Sequence, residues 1–142
     1  MSGLAGWISD KTDLTKQDHT LIAMSETLKA RGPDDFGEVV FQDVALIHRR
    51  LCVIDPKTGI QPMTKTQNGE TYTLVYNGEL YNTSELTAEL SSLGYKFAGH
   101  SDTEVLLYSY IQWGKDCLRK LNGMFAFAVW EHNKKLLFAA RD

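Results

Sequence analysis

The run MFAFAVW at 124–130 constrains the fold of this chain more than any other segment. Large apolar side chains alternate along it with alanines and end on Trp130, so both faces of an extended strand here are apolar. A strand with two apolar faces has to be covered on both sides. A second apolar run at 135–140 follows across His132 and Asn133, which predicts a hairpin inside a layered α+β fold.

Helical and extended patterns alternate along the rest of the chain. Apolar spacing predicts helices at about 15–30 and 82–93, and Ser101 with Glu104 has the spacing of a capping box that opens a third helix. Apolar and β-branched runs predict strands at 3–9, 36–41, 44–48 and 71–76. Prolines and glycines within 55–70 predict a long loop.

Composition places the chain among ordinary globular proteins and excludes several classes of function. Hydrophobic residues make up 43% of the 142 positions and charged residues 23%, which argues against disorder. The net charge of −3 provides no basic field for nucleic acid, and no apolar run is long enough to span a membrane. Cys52 and Cys117 have neither zinc-site nor disulfide spacing, and the histidines have no metal spacing, so no metal site is expected. We expect a cytoplasmic protein.

Taken one at a time, the polar motifs favour structural interpretations. Asn77-Gly78 is a standard dipeptide of hairpin turns. The pair Arg49-Arg50 suits a solvated surface, and Asp102 suits the electropositive end of a helix. No single motif therefore identifies a function.

The motifs carry more information as an ordered set. A small residue follows the initiator Met, and then come RGPDD (31–35), RRLCVID (49–55), YNGELYN (76–82), SDTEV (101–105), GMFAFAVW (123–130) and AARD (139–142). In this order they resemble the glutaminase domain of asparagine synthetases, a class II glutamine amidotransferase of the N-terminal-nucleophile hydrolase type. The resemblance covers essentially the whole chain. It implies a glutamine amidotransferase type 2 domain at 1–142, folded as a four-layer αββα sandwich of antiparallel sheets.

The resemblance also implies a pocket for L-glutamine. Free glutamine is a zwitterion, so its pocket needs a cation for the carboxylate and an anion for the ammonium. In this family the arginine that matches Arg50 takes the carboxylate, a task that suits the fork of a guanidinium. The acids that match Glu79 and Asp102 hold the amino end, helped by backbone groups near Val53.

The catalytic groups implied by the family lie at three positions. The side chain matching Asn77 and the backbone N–H matching Gly78 form an oxyanion hole. Met1 is removed, and the α-amine of residue 2 serves as general base for its own side chain. Here Ser2 stands where the family carries cysteine. A thiol with a pKa of about 8.5 yields some anion at neutral pH and a hydroxyl essentially none, so we expect glutamine hydrolysis to be very slow or absent.

Two other functions stay open, as does the question of whether Ser2 is natural or introduced. The chain is alternatively a non-catalytic glutamine-binding or interaction module that keeps the pocket without the chemistry. A third possibility is a serine-type N-terminal amidohydrolase that acts on a different amide. Retention or removal of Met1 separates these alternatives.

The chain is also expected to be incomplete at its C-terminus. It stops on the strand-like run at 137–142 without a polar tail, whereas the family continues into further strands and an ATP-dependent synthetase domain. No cofactor is expected for this domain, because ATP and Mg²⁺ belong to the synthetase domain. The expected partners are L-glutamine and that domain of the same polypeptide, with no nucleic acid and no membrane. Exposed sheet edges make a homodimer a further hypothesis.

Overall fold

The computed structural model describes residues 2–51 and 59–142, and the chain forms two compact units, Met1–Pro56 and Lys57–Asp142. The first unit contains β1 (Gly3–Ile8), α1 (Asp18–Thr27), β2 (Asp35–Val40) and β3 (Val44–Arg50). The second contains β4 (Met63–Gln67), β5 (Glu70–Leu80), α2 (Thr83–Ser92), α3 (Asp102–Trp113), β6 (Gly123–Glu131) and β7 (Leu136–Arg141). Short 3-10 turns lie at Leu14–Lys16 and Gly114–Arg119.

The first unit is a three-stranded antiparallel sheet in the order β1-β3-β2, with α1 on one face. Leu21 of α1 packs with Ala45 and Ile47 of β3, and all three are buried. The alternate residues of β3, Val44, Leu46 and His48, face the other way and are buried as well. The central strand therefore has two covered faces, which explains its nearly continuous apolar sequence.

The second unit is a four-stranded antiparallel sheet in the order β4-β5-β6-β7. Its core joins the sheet to α3, where Leu106 and Leu107 pack against Leu74, Tyr76 and Phe127. Burying a leucine or phenylalanine side chain contributes about 1.5–3 kcal/mol. This cluster therefore fixes α3, and with it the first residue of that helix, against one face of β5.

The structure confirms the predicted hairpin and the α+β class with antiparallel sheets. β6 and β7 pair from Ala126↔Arg141 to Glu131↔Leu136, and residues 127–131 are all buried. The capping interaction at the third helix is also confirmed, because Ser101 Oγ accepts a hydrogen bond from the Glu104 N–H.

Two predictions about β5 and its surroundings were wrong. The loop expected at 55–70 contains β4, which forms a hairpin with β5 through Asn68 and Gly69, both at positive φ. That dipeptide is a strong hairpin signal, and the prolines earlier in the segment masked it. The strand expected to end at Tyr76 continues to Leu80, so Asn77-Gly78 is not a turn. Pairing with β6 across 72–80 overrides the local turn preference.

Within residues 2–51 and 59–142, no helix combines the length and the apolar character that crossing a membrane requires.

Candidate active site

One edge of β5 is open at its C-terminal half. β4 begins at Met63, which pairs with Leu74, and so does not extend along the rest of β5. Beyond that pair, residues 75–80 are bonded to β6 on one edge, while the other edge carries no strand in the described part of the chain. An open edge presents backbone N–H and C=O groups to whatever lies beside it.

The N–H groups at the open edge belong to alternate residues. Gln61 Oε1 accepts a hydrogen bond from the Tyr76 N–H at 2.5 Å, and Asp102 Oδ2 accepts one from the Leu80 N–H at 3.2 Å. N–H groups two residues apart point the same way along a strand. The N–H of Gly78 therefore lies on the same edge, between the two that side chains occupy.

Gly78 is required by the close approach of β6. A Cβ atom at this position would lie 2.2 Å from the Met124 carbonyl oxygen and 2.7 Å from Phe125 Cα. It would also lie 2.8 Å from Cε2 of the Tyr76 ring. Only glycine fits in this space, and its absent side chain leaves the edge of the strand accessible.

Asp102 is the first residue of α3 and accepts two hydrogen bonds through one oxygen. The Tyr76 hydroxyl donates to Asp102 Oδ2 at 2.8 Å, in addition to the Leu80 N–H at 3.2 Å. Burial, together with the charge of Asp102 and its hydrogen bond, raises the pKa of Tyr76 well above its ordinary value. The phenol consequently stays protonated and remains the donor. Within the described residues, Oδ1 of Asp102 accepts no hydrogen bond.

Asn77 and Glu79 flank Gly78 on the opposite face of the sheet. Tyr76 and Leu80 belong to the core shared with α3, and successive side chains of a strand point to opposite faces. Asn77 is half-buried and Glu79 is exposed. The structure thus brings Gly78 and Asp102 together at the open edge, with Asn77 and Glu79 beside them along the strand.

Ser2 lies at the start of the first unit, next to the end of β3. The Leu51 N–H donates to Ser2 Oγ at 3.2 Å, and Nε of Arg31 donates to the Ser2 carbonyl oxygen at 3.3 Å. Gly32 allows this segment to approach, because a Cβ there would lie 2.3 Å from the Arg49 carbonyl. The glycine after Arg31 is thus required by packing against the end of β3.

Arg49 and Arg50 lie on opposite faces of β3, and Arg49 is held by α1, so their interpretation as a solvated pair was wrong. The Arg49 guanidinium turns to α1, where it donates to Ser25 Oγ at 2.9 Å and to Glu26 Oε1 at 2.7 Å. The register pairs Gly3 with Arg49, and one further step places Ser2 opposite Arg50. Arg50 consequently projects from the same face of the sheet as Ser2, away from α1.

The remaining predicted positions differ in what the structure describes. Val53 lies outside the described residues. Ser2 and Arg50 belong to the first unit, whereas Asn77, Gly78, Glu79 and Asp102 belong to the second, and each group is described within its own unit.

Cys117 is fully buried, and burial raises its pKa to about 11, which disfavours the reactive thiolate. Residues 2–51 and 59–142 contain no cluster of acidic, histidine and cysteine side chains suited to a metal ion.

Two residues of the open edge were missed at the level of sequence. Gln61 lay in the segment interpreted as a loop, and Tyr76 was part of a motif without a role of its own. No sequence signal reveals the hydrogen bond from the Tyr76 N–H to Gln61, because it depends on where β4 begins along β5. The tyrosine had a signal in its apolar strand setting, where a buried hydroxyl needs a partner.

Comparison with known proteins identifies the family. The chain matches the glutamine amidotransferase domain family over residues 1–142. It is 51% identical over 142 residues to asparagine synthetase [glutamine-hydrolyzing] 3 of Bacillus subtilis, covering 100% of this chain and 23% of that protein. It is 35% identical over 142 residues to asparagine synthetase B [glutamine-hydrolyzing] of Escherichia coli, covering 100% of this chain and 25% of that protein. The chain thus spans about a quarter of the length of these relatives.

Solved structures support the same assignment. The glutamine phosphoribosylpyrophosphate amidotransferase of B. subtilis, in complex with ADP and GMP, superposes with a TM-score of 0.59 at 28% identity, covering 72% of this chain and 24% of that one. The structure described as the allosteric regulatory enzyme of purine biosynthesis gives a TM-score of 0.60 at 28% identity, with the same coverage of 72% and 24%. The chain belongs to the glutamine amidotransferase domain family, has the N-terminal-nucleophile hydrolase fold, and is similar over its whole length to part of the glutamine-hydrolysing asparagine synthetases.

Proposed function

We propose that this chain is the glutaminase part of an asparagine synthetase-like amidotransferase, built to hydrolyse L-glutamine to glutamate and ammonia. The observation that carries the proposal is the open edge of β5. There the N–H of Gly78 lies on the same strand edge as the N–H of Leu80, to which the Asp102 carboxylate is bonded. A backbone donor suits a developing oxyanion, and a carboxylate suits an ammonium group.

The proposed anchors divide the charges of glutamine between them. Arg50 binds the α-carboxylate, and Asp102 binds the α-ammonium through its second oxygen. Glu79 adds negative charge at the amino end, and backbone groups near Val53 complete the pocket. The distinct position of Arg49, which is engaged with α1, supports the choice of Arg50.

The proposed reaction is acyl transfer through residue 2 after removal of Met1. The α-amine of residue 2 takes the proton of the side-chain nucleophile, which bonds to the amide carbon of glutamine. The oxyanion is held by the Asn77 side chain and the Gly78 N–H. The amine then passes its proton to the departing nitrogen, and ammonia leaves as the carbon–nitrogen bond breaks. Water cleaves the resulting ester or thioester to glutamate and restores the nucleophile.

Ser2 makes this chain a very slow or inactive glutaminase in our proposal. A hydroxyl depends wholly on the α-amine for activation, whereas a thiol ionises near neutral pH. The hydrogen bond from the Leu51 N–H to Ser2 Oγ favours an anion at this atom, but this single neutral donor does not replace the acidity of a thiol.

The wider setting follows from the relatives. We place the ATP and Mg²⁺ chemistry, and the use of the ammonia, in a synthetase domain of the same polypeptide, and we assign no cofactor to this chain. A cytoplasmic location follows by analogy. Homodimer formation through a sheet edge is tested by size-exclusion chromatography, where a monomer at high concentration counts against it.

A natural Ser2 with Met1 retained would favour the rival function, a glutamine-binding module that keeps the pocket without the chemistry. Calorimetric titration of the unchanged chain with glutamine, together with an assay for glutamate, separates the two. Binding without turnover, even after Ser2→Cys, supports the module. Turnover of other amides by the unchanged chain, with Met1 removed, supports a serine-type amidohydrolase instead.

The decisive test is glutamate release by the Ser2→Cys protein, with Met1 removal verified by mass. We expect robust turnover. Asn77→Ala in the same background lowers kcat by about 100-fold or more, as expected for the loss of an oxyanion donor. A Ser2→Cys protein that has lost Met1 and releases no glutamate contradicts the proposed catalytic function.

A further inference from the structure

The three N–H groups on the open edge of β5 are similar in kind but not equally available. They belong to Tyr76, Gly78 and Leu80 and recur at about 6.7 Å along the strand. Each is an equally good donor to an anionic or carbonyl oxygen. Gln61 occupies the first and Asp102 the third, so the middle donor alone among these three is presented to a ligand.

Gln61 affects which backbone N–H group on the edge of β5 is available to a substrate. Its Oε1 occupies the Tyr76 N–H, in the segment just before β4. Without this acceptor, a second donor would stand one strand repeat from Gly78. An amide substrate would then be able to place its carbonyl oxygen on the Tyr76 N–H instead of the Gly78 N–H, in a non-productive register.

Tyr76 has a consequence for the orientation of Asp102. Its ring is 2% exposed and packs below Gly78, where an added Cβ would lie 2.8 Å from Cε2. Its hydroxyl donates to Asp102 Oδ2 at 2.8 Å. The ring is immobilised by the core, so the hydrogen bond holds Oδ2 against the strand and leaves Oδ1 for another donor.

We propose that Gln61 and Tyr76 are positioning residues of the glutamine site. Gln61 blocks the competing backbone donor at Tyr76, and the Tyr76 hydroxyl orients Asp102 toward the ammonium group of the substrate. Neither residue contacts the reacting atoms. This inference rests on the glutaminase function proposed above and extends it to two residues outside the set that binds and transforms the substrate.

The kinetic test uses the Ser2→Cys protein, freed of Met1, as parent. Tyr76→Phe removes only the hydroxyl, and we expect KM for glutamine to rise about 10-fold with kcat within about threefold, because a loosened Asp102 weakens ground-state and transition-state binding alike.

Gln61→Leu is expected to give the opposite pattern. Non-productive binding at the exposed Tyr76 N–H lowers kcat and KM together, each by about fivefold, and leaves kcat/KM within about twofold of the parent. Gln61→Glu retains an oxygen acceptor and should restore kcat toward the parent value. A role confined to stability would not produce two opposite kinetic patterns.

Tyr95→Phe is the matched control. It removes a hydroxyl that donates to Gln112 Oε1 at 3.0 Å in the same unit, and both kinetic constants should stay within twofold of the parent. Thermal unfolding of every variant is recorded alongside. If Tyr76→Phe and Gln61→Leu also leave kcat and KM within twofold of the parent, the inference is wrong.

Amide hydrogen exchange on the unchanged Ser2 chain tests the contacts without turnover. We expect Tyr76→Phe to accelerate exchange at the Leu80 N–H, and Gln61→Leu to accelerate it at the Tyr76 N–H, each by at least about 10-fold. A Ser2→Cys protein that is inactive after loss of Met1 contradicts the proposed function, whereas unchanged exchange rates in the variants of the Ser2 chain contradict the positioning roles. The two failures are therefore distinguishable.

Discussion

The two halves of β5 belong to one continuous strand but are completed in different ways. At 72–74 the strand is paired with β4 on one edge and with β6 on the other. At 75–80 it is bonded to β6 on one edge, and on the other Gln61 and Asp102 accept its N–H groups. A ladder uses every backbone donor, whereas side chains can leave one of them open. A strand that extends beyond its neighbouring strand therefore leaves a backbone donor available for a ligand, while its other edge stays paired.

The acids beside these two halves show the same contrast. Glu104 is buried and accepts hydrogen bonds from Lys65 Nζ of β4, at 2.7 Å, and from the N–H groups of Ala98 and Gly99. Asp102, two positions before Glu104 in the same helical turn, accepts its two hydrogen bonds on one oxygen. The fully satisfied acid stabilises the fold, and the half-satisfied acid suits a ligand.

The largest expected effect comes from a substitution in the open half of β5. Gly78→Ala forces a Cβ to within 2.2 Å of the Met124 carbonyl oxygen, so β5 and β6 must separate. We expect the free energy of unfolding to fall by about 3 kcal/mol, at the upper end for overpacking, and turnover of the Ser2→Cys protein to be lost. Urea unfolding and the glutamate assay measure the two effects.

Gly69→Ala, in the turn that leads from β4 into β5, is the control. A Cβ there meets nothing within 4 Å, and only its φ of +78° opposes the change, so the expected cost is about 1 kcal/mol. Equal losses of stability for the two variants would show that the close approach of β6 is not what requires Gly78.

The next effect separates recognition from stability. Asp102→Asn keeps an acceptor for Tyr76 and Leu80 but removes the charge that we assign to ammonium binding. In the Ser2→Cys background we expect kcat/KM for glutamine to fall about 100-fold, equivalent to about 2.7 kcal/mol, with a much smaller change in the free energy of unfolding. A loss of stability that accounts for the loss of activity would place Asp102 with the structural acids.

Glu104, the acid beside the paired half of β5, is expected to show the reverse pattern, a loss of stability without a loss of substrate recognition. Glu104→Gln breaks a buried ion pair, and we expect it to lower the free energy of unfolding by about 3 kcal/mol without a specific change in KM. Glu89→Gln is the matched control, since Glu89 pairs with Lys120 at the same 2.7 Å but is 45% exposed. Its expected cost is about 0.5 kcal/mol or less. Similar costs for the two pairs would contradict the role of burial.

The smallest effect is the pH dependence of that stability. Burial raises the pKa of Glu104, but the hydrogen bonds from Lys65 and from the backbone of Ala98 and Gly99 outweigh it, and the pKa lies below its ordinary 4.5. The contribution of Glu104 is therefore complete above pH 4.5 and is lost as the pH falls through the folded-state pKa. Urea unfolding at a series of pH values should show the difference between parent and Glu104→Gln narrowing below pH 4.5. A constant difference down to pH 3 would contradict this.

Much of the fold was predictable because its signals are local. The alternation at 124–130 identified β6, the spacing from Ser101 to Glu104 identified the start of α3, and both were confirmed. β4 also had a local signal in Asn68-Gly69, which the nearby prolines outweighed. Asn77-Gly78 misled because its local turn preference competes with pairing to β6, and nine residue pairs across β5 and β6 favour the strand.

The sequence by itself determined the class of the fold and the family of the chain. Apolar periodicity requires layers, and the ordered motifs of an amidotransferase are read without coordinates. Only the tertiary structure decided which polar groups lie at the open edge of β5. Gly78 is required by a carbonyl of β6, Tyr76 anchors Asp102 through its hydroxyl, and Gln61 covers a donor that β4 leaves open. These roles depend on distances between segments remote in sequence, because a hydrogen bond is set by where two chains meet.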